Sequence, residues 1–174
     1  MLAYVQALIN IALLRSGPED LPGSRFLLGV TFAFYLLAQI PLALIAYGPG
    51  STLVKIIAVS VVLLVTGLWV LLALTGFKSR YLQTLVALLG TSALLSVLSF
   101  PFSLWRQATM LSELPPAAPI VVIFAIMLWS IAIDGHILAR ALSKSFFVGL
   151  LVALGYFFLH TTLLFELVPQ SLSG

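Results

Sequence analysis

The stretch Pro119-Ile-Val-Val-Ile-Phe-Ala-Ile-Met-Leu-Trp-Ser-Ile-Ala-Ile-Asp134-Gly-His136-Ile-Leu-Ala-Arg140-Ala-Leu-Ser-Lys144 joins a long apolar run to a cluster of ionisable residues. A helix crosses a bilayer with roughly 20 apolar residues, and this run is long enough. None of the apolar runs in the chain alternates as β-barrel strands do. The sequence therefore predicts an all-α polytopic membrane protein. The five predicted transmembrane helices are 26–47, 53–75, 81–100, 119–142 and 146–168.

Composition supports the same fold class. The 174 residues are 62% hydrophobic and only 7% charged, whereas soluble domains carry about 25% charged residues. The eight Lys and Arg residues are scattered and form no basic stripe, so we expect no nucleic-acid partner. The absence of cysteine excludes disulfides and thiolate chemistry. The expected environment is the lipid bilayer of a bacterial inner membrane.

The first 25 residues form a separate unit in the sequence. Residues 1–14 are apolar, but as a helix they would extend only about 21 Å, too short to span. They are predicted to form an interfacial helix on the cytoplasmic face, and packing against the bundle is an equal alternative. Gly17-Pro18 and Pro22-Gly23 then break the chain before the first span, where Ser24 is a suitable N-cap.

Loop charges predict the orientation. Arg15, Arg25, Lys78, Arg80, Arg140 and Lys144 lie on one side of the predicted spans, and only Lys55 and Arg106 lie on the other. The positive-inside rule then places the N-terminus in the cytoplasm and the C-terminal tail, 169–174, outside.

Proline and small residues predict local features of the spans. Pro41 is expected to kink the first span, and Pro101 is expected to end the third. A short outer-surface helix is predicted at 104–114. Ser92 and Ser96 form a small-xxx-small pair, which is typical of close helix packing.

Four polar residues in the last two spans are candidates for function: Asp134, His136, Arg140 and His160. His136 and Arg140 are four residues apart and share a helix face, and Arg140 can reach the inner headgroups. Asp134 is expected to act as a cap or to pair with Arg80, Lys78 or the N-terminal helix near the inner interface, and proton transfer is the alternative role.

His160 is predicted to lie at a different depth from Asp134 and His136. His136 and His160 are predicted to differ in depth by about 12 Å along the bilayer normal, so a haem or metal site between these groups is not expected. His160 is instead expected to bond Thr161, Ser96, Ser99 or water. The chain has no GxSxG, HExxH, P-loop or CxxC motif. We therefore predict no catalytic, cofactor-binding or metal residues, and no enzyme activity.

Three segments resemble the Yip family of Rab-GTPase-interacting membrane proteins and their bacterial relatives. They are Gly17-Pro-Glu-Asp-Leu-Pro22, Gly76-Phe-Lys-Ser-Arg-Tyr-Leu-Gln-Thr-Leu85, and the pair of spans around Trp129–Phe158. The resemblance implies five spans and a non-enzymatic membrane role. The aspartate-leucine-tyrosine-glycine-proline motif of the eukaryotic members is missing, so GTPase binding is not implied.

Two functions remain open at this point. The first is an accessory, assembly or membrane-organising subunit that acts by contacting a membrane-protein partner or a second copy of itself. The alternative is a small transporter or channel subunit that uses Asp134 and His160.

Overall fold

The computed structural model describes residues 2–111 and 117–167, and within these ranges the chain is helical without any strand. Two short 3₁₀ turns, Pro18–Asp20 and Lys78–Arg80, lie between the helices. The helices are α1 Leu2–Ala12, α2 Arg25–Tyr47, α3 Ser51–Leu74, α4 Tyr81–Leu111, α5 Ala117–Ala141 and α6 Phe146–Leu167. The tail 169–174 and the end of the helix predicted at 104–114 lie outside the described residues.

The five helices α2 to α6 are long and apolar enough to cross a membrane. Their outer surfaces expose large apolar side chains, such as Leu37 and Leu74, at 72% and 83%. Such surfaces are unfavourable in water and suit lipid. The predicted all-α fold with five long apolar helices is confirmed, and the chain is an integral membrane protein.

Helix α4 is longer than predicted, and the prediction that it ends at Pro101 is wrong. It has 31 residues and contains Pro101 in its interior. Proline removes one backbone donor, but membrane helices tolerate that loss when neighbouring groups satisfy the freed carbonyl. Helix α2 likewise continues through Pro41.

Helix α4 forms the centre of the bundle. The run 84–91 is buried on every side of the helix, as expected of a helix enclosed by others. It includes Leu89 and Val86, which are 1% and 0% exposed. Helices α2 and α5 pack directly against it.

Helices α5 and α6 approach each other closely. A Cβ atom added to Gly149 would overlap the carbonyl oxygen of Gly135 and lie 2.6 Å from the backbone nitrogen of Ala139. Gly135 and Ala139 are four residues apart on α5, as Gly149 and Ala153 are on α6. Small residues at this spacing let helix backbones touch.

Helix α1 packs on the bundle. Leu8 and Ile11 are 1% and 0% exposed, and the Leu8 side chain fills the space above Gly90 of α4. The Trp129 indole donates a hydrogen bond to the Ala12 carbonyl at 3.1 Å. Of the two alternatives for residues 1–14, packing against the bundle is therefore the observed arrangement.

Tyr4 anchors the start of α1. Its hydroxyl lies 2.5 Å from the Thr31 hydroxyl on α2. Thr31 already donates to the Leu27 carbonyl, so Tyr4 is the donor in this pair. Burial raises the pKa of the Tyr4 phenol above its ordinary value, which favours the neutral form that donates this bond.

Arg80 joins the loops 75–80 and 142–145 at one end of the bundle. We call this end, which is formed by residues 13–24, 75–80 and 136–145, the charged end. The Arg80 Nη1 donates to the carbonyls of Arg140 and Ala141 at 3.1 and 2.9 Å, and to the Ser143 hydroxyl at 2.8 Å. The last carbonyls of α5, which have no partner within the helix, are thus capped by a cation.

Arg80→Ala should lower the free energy of unfolding by roughly 1–3 kcal/mol, because hydrogen bonds from a charged donor are lost. Thermal unfolding of the purified protein in lipid nanodiscs, followed by tryptophan fluorescence, measures the change. Lys144→Ala is the control, since Lys144 is exposed at the same end. Equal effects of the two changes would contradict the capping role of Arg80.

Candidate functional site

A cavity of about 380 Å³ lies inside the bundle and touches all five long helices. Ligand sites in proteins commonly have volumes of this order. Most of its wall is apolar and comes from leucine side chains. The polar groups on its wall are Tyr35 and Gln39 of α2, Ser60 of α3, Ser92 of α4, Asp134 of α5, and Tyr156 and His160 of α6.

Two glycines leave the space open. Gly67 of α3 and Gly155 of α6 both line the cavity, and a Cβ atom added at either would meet no atom within 4 Å. A larger side chain at either position would enter the cavity without striking the backbone.

Among the residues that the structure describes, Asp134 is the one acidic group on the cavity wall. It lies about 10 Å before the end of α5 at Ala141, and its side chain is partly accessible from the cavity. Within residues 2–111 and 117–167, no hydrogen-bond donor or cation reaches its carboxylate. The expected pairing with Arg80, Lys78 or α1 is therefore not found, since Arg80 is bonded to the end of α5 instead.

His160 bonds Ser60 on α3, not the predicted Thr161, Ser96 or Ser99. Its Nε2 lies 2.8 Å from the Ser60 hydroxyl, and that hydroxyl donates to the Ile56 carbonyl at 2.8 Å. Because the Ser60 proton is used in that bond, the His160 tautomer that carries its proton on Nε2 fits this contact. In that tautomer Nδ1 is an acceptor.

Further polar contacts extend from His160 across the cavity wall. The Tyr156 ring stacks on the His160 ring at a centroid distance of 5.9 Å. On α2, the Gln39 amide donates to the Tyr35 hydroxyl at 3.4 Å and accepts from Ser96 at 2.9 Å. The cavity therefore has hydrogen-bonding groups along its length.

The depth difference predicted for Asp134 and His160 exists, but it does not separate their sites. Gly135 of α5 meets Gly149 and Leu150 of α6. Asp134 therefore lies at the depth of about residue 151 of α6. His160 lies about 13 Å further along that helix. Both side chains line the same elongated cavity. Within the described residues, no three His, Cys, Asp or Glu side chains are grouped to hold a metal ion.

His136 and Arg140 belong to a different place, the charged end. The His136 Nε2 donates to the Ser16 carbonyl at 3.0 Å, and Arg140 pairs with Glu19 at 2.6 Å. Both partners of that ion pair are about half exposed, so the pair contributes little stability. These contacts hold the α1–α2 connection against α5.

Sequence reasoning missed Tyr35, Gln39, Ser60 and Tyr156. A signal was present, because Tyr35 and Gln39 are four residues apart, as are Tyr156 and His160, and each pair shares a helix face. The sequence does not tell which helix each face meets, and that choice brings the two pairs to one cavity.

These features define a class: a polytopic helical membrane protein with five candidate spans and, between them, a mostly apolar cavity that carries a few polar groups. Comparisons with protein-family models, with curated proteins and with solved structures gave no match. The functional argument therefore rests on the residues of this chain.

Proposed function

We propose that the protein is a small transporter, or the solute-binding subunit of one, and that it binds its solute in the cavity lined by all five long helices. The observation that carries the proposal is the Asp134 carboxyl and the His160 ring on the wall of one intramembrane cavity. Ionisable residues at membrane depth are rare because they are costly, and they commonly mark solute or proton pathways.

The cost of Asp134 supports the proposal. A carboxyl group without a hydrogen-bond partner is costly in a mostly apolar bundle, and a purely structural role for this position would be served by an apolar side chain. The neighbouring cavity wall carries hydrogen-bonding groups over about 13 Å, roughly half of the hydrocarbon thickness. A solute moving along this wall would find polar partners at successive depths.

We also propose an orientation. The charged end faces the cytoplasm of a bacterial inner membrane, and the N-terminus lies on the cytoplasmic side. The positive-inside rule supports it. The chain lacks cysteine, so a thiol reagent can react only with the single cysteine that is introduced. We expect Ser79→Cys in intact cells to resist a membrane-impermeant thiol reagent and Ser51→Cys to react with it. The reverse pattern would contradict the orientation.

Access to the cavity tests transport. Ser92 lines the cavity, and cysteine has a similar size. A transporter must open its site to each side in turn, so Ser92→Cys should react with an impermeant methanethiosulfonate reagent applied to either side of oriented membrane vesicles. Gly29→Cys is the control, because position 29 is exposed on the outside of α2. A Ser92→Cys thiol that reacts from neither side of the membrane, or from only one side, would contradict the transport proposal.

A second candidate is the non-enzymatic accessory role implied by the Yip-like segments. A separate cavity of about 390 Å³ at the charged end favours it, since Glu19, Arg80, Arg140 and Lys144 line that cavity and a charged partner segment could enter. The two roles differ in their dependence on Asp134. A partner that co-purifies equally with the native chain and with Asp134→Asn, in the absence of any solute binding, would favour the accessory role.

A further inference from the structure

The charges around the cavity indicate which solute it takes. Asp134 is acidic, and within the described ranges 2–111 and 117–167 no lysine or arginine lines the cavity. The two arginines closest in sequence to this region are already bound elsewhere, Arg140 to Glu19 and Arg80 to the end of α5. An anionic solute would therefore meet a carboxylate with no compensating cation.

The rest of the wall favours an organic cation over a metal ion. Calcium and magnesium need six or more oxygen ligands that meet at one point, whereas this cavity offers one carboxyl group, four hydroxyl-bearing side chains and one amide spread along a mostly apolar wall. The rings of Tyr35 and Tyr156 also line it, and aromatic ring faces attract ammonium groups. Leucine side chains of α3, α4 and α6 would cover an apolar body.

We propose that the cavity binds a small amphipathic monocation, an ammonium group on an apolar body, with the Asp134 carboxylate as its counter-ion. This inference rests on the proposed solute-binding function and names its substrate class. The ammonium contacts Asp134, and the apolar body extends along the leucine wall toward His160. The Nδ1 atom of the neutral His160 ring accepts a hydrogen bond from any donor at the far end of the solute.

Three probes of one shape and different charge test the inference: 4-phenylbutylammonium, 4-phenylbutanol and 4-phenylbutanoate. Binding is measured by calorimetry on the full chain in zwitterionic nanodiscs, with empty nanodiscs subtracted to remove lipid partitioning. We expect the ammonium to bind at least about tenfold more tightly than the alcohol, because a close charge pair is strong in a low-dielectric site. The carboxylate should bind most weakly.

Two substitutions of Asp134 distinguish the effect of its charge on binding from an effect on folding. Asp134→Asn keeps the shape of the side chain and should reduce the affinity for the ammonium to that for the alcohol. Asp134→Glu keeps the charge and should retain the preference. Equal binding of ammonium and alcohol by the native chain, tighter binding of the carboxylate, or binding of none of the probes would overturn the cation assignment.

The cation assignment and the transport proposal fail in different ways. Ammonium binding that depends on Asp134, together with a Ser92→Cys thiol that reacts from one side or neither, would support the cation site and reject transport. A thiol that reacts from both sides, together with no preference for the ammonium, would keep transport and reject the cation.

Discussion

Gly149→Leu is expected to abolish the native fold or to lower its free energy of unfolding by about 3 kcal/mol, the upper end of the usual cost of overpacking. The reason is the close contact of α5 and α6, where an added Cβ would overlap the Gly135 carbonyl and strike the Ala139 backbone. Backbone atoms cannot rotate away as a flexible side chain can. The helices would have to separate, and separation would also disturb the neighbouring Asp134.

The matched control is the same substitution six residues further along α6, at Gly155. Gly155→Leu introduces the same side chain where a Cβ meets nothing within 4 Å, and in a helix leucine is favoured over glycine by up to about 1 kcal/mol. Thermal unfolding in nanodiscs and the elution profile in size-exclusion chromatography measure both variants. Equal loss of folded protein in the two would contradict the close α5–α6 contact.

Gly155→Leu has its own expected result, a folded protein with a blocked cavity. The leucine side chain would occupy space that the solute needs, and overpacking of that size costs at least about 1.4 kcal/mol, or about tenfold in affinity. The affinity for 4-phenylbutylammonium should fall by that factor or more. The reactivity of Ser92→Cys toward the thiol reagent should fall in parallel.

Gly29→Leu is the control for this experiment. Position 29 is equally open and lies on the exposed face of α2, away from the residues that line the cavity. It should leave both the affinity and the labelling rate unchanged. A Gly155→Leu protein that binds and labels like the native chain would show that the solute does not use this cavity.

Local sequence patterns were enough to predict the elements of the fold. Five long apolar runs predicted α2 to α6, since each element needs only its own residues to satisfy its backbone in lipid. Proline was the weak point, because Pro101 lies within α4. Proline usually breaks helices in water, but membrane helices tolerate it in their interior.

The candidate polar residues were found from the sequence, but their grouping was not. Asp134 and His160 were assigned to separate places because of their depths, and the depth difference of about 13 Å is real. A cavity that runs along the bundle joins them nonetheless. His136, only two residues from Asp134, points to the α1–α2 connection instead, since residues two apart lie on different faces of a helix.

The sequence by itself determined that the chain is an integral membrane protein with five long apolar helices, because hydropathy is a property of each segment. Only the tertiary structure decided that the stretch from Pro119 to Lys144 contributes residues to two separate sites. Its Asp134 lines an intramembrane cavity, while its His136 and Arg140 fasten the charged end. The physical reason is helix rotation: which face of α5 meets α6 is set by the contact of Gly135 with Gly149, and that contact joins two distant parts of the chain.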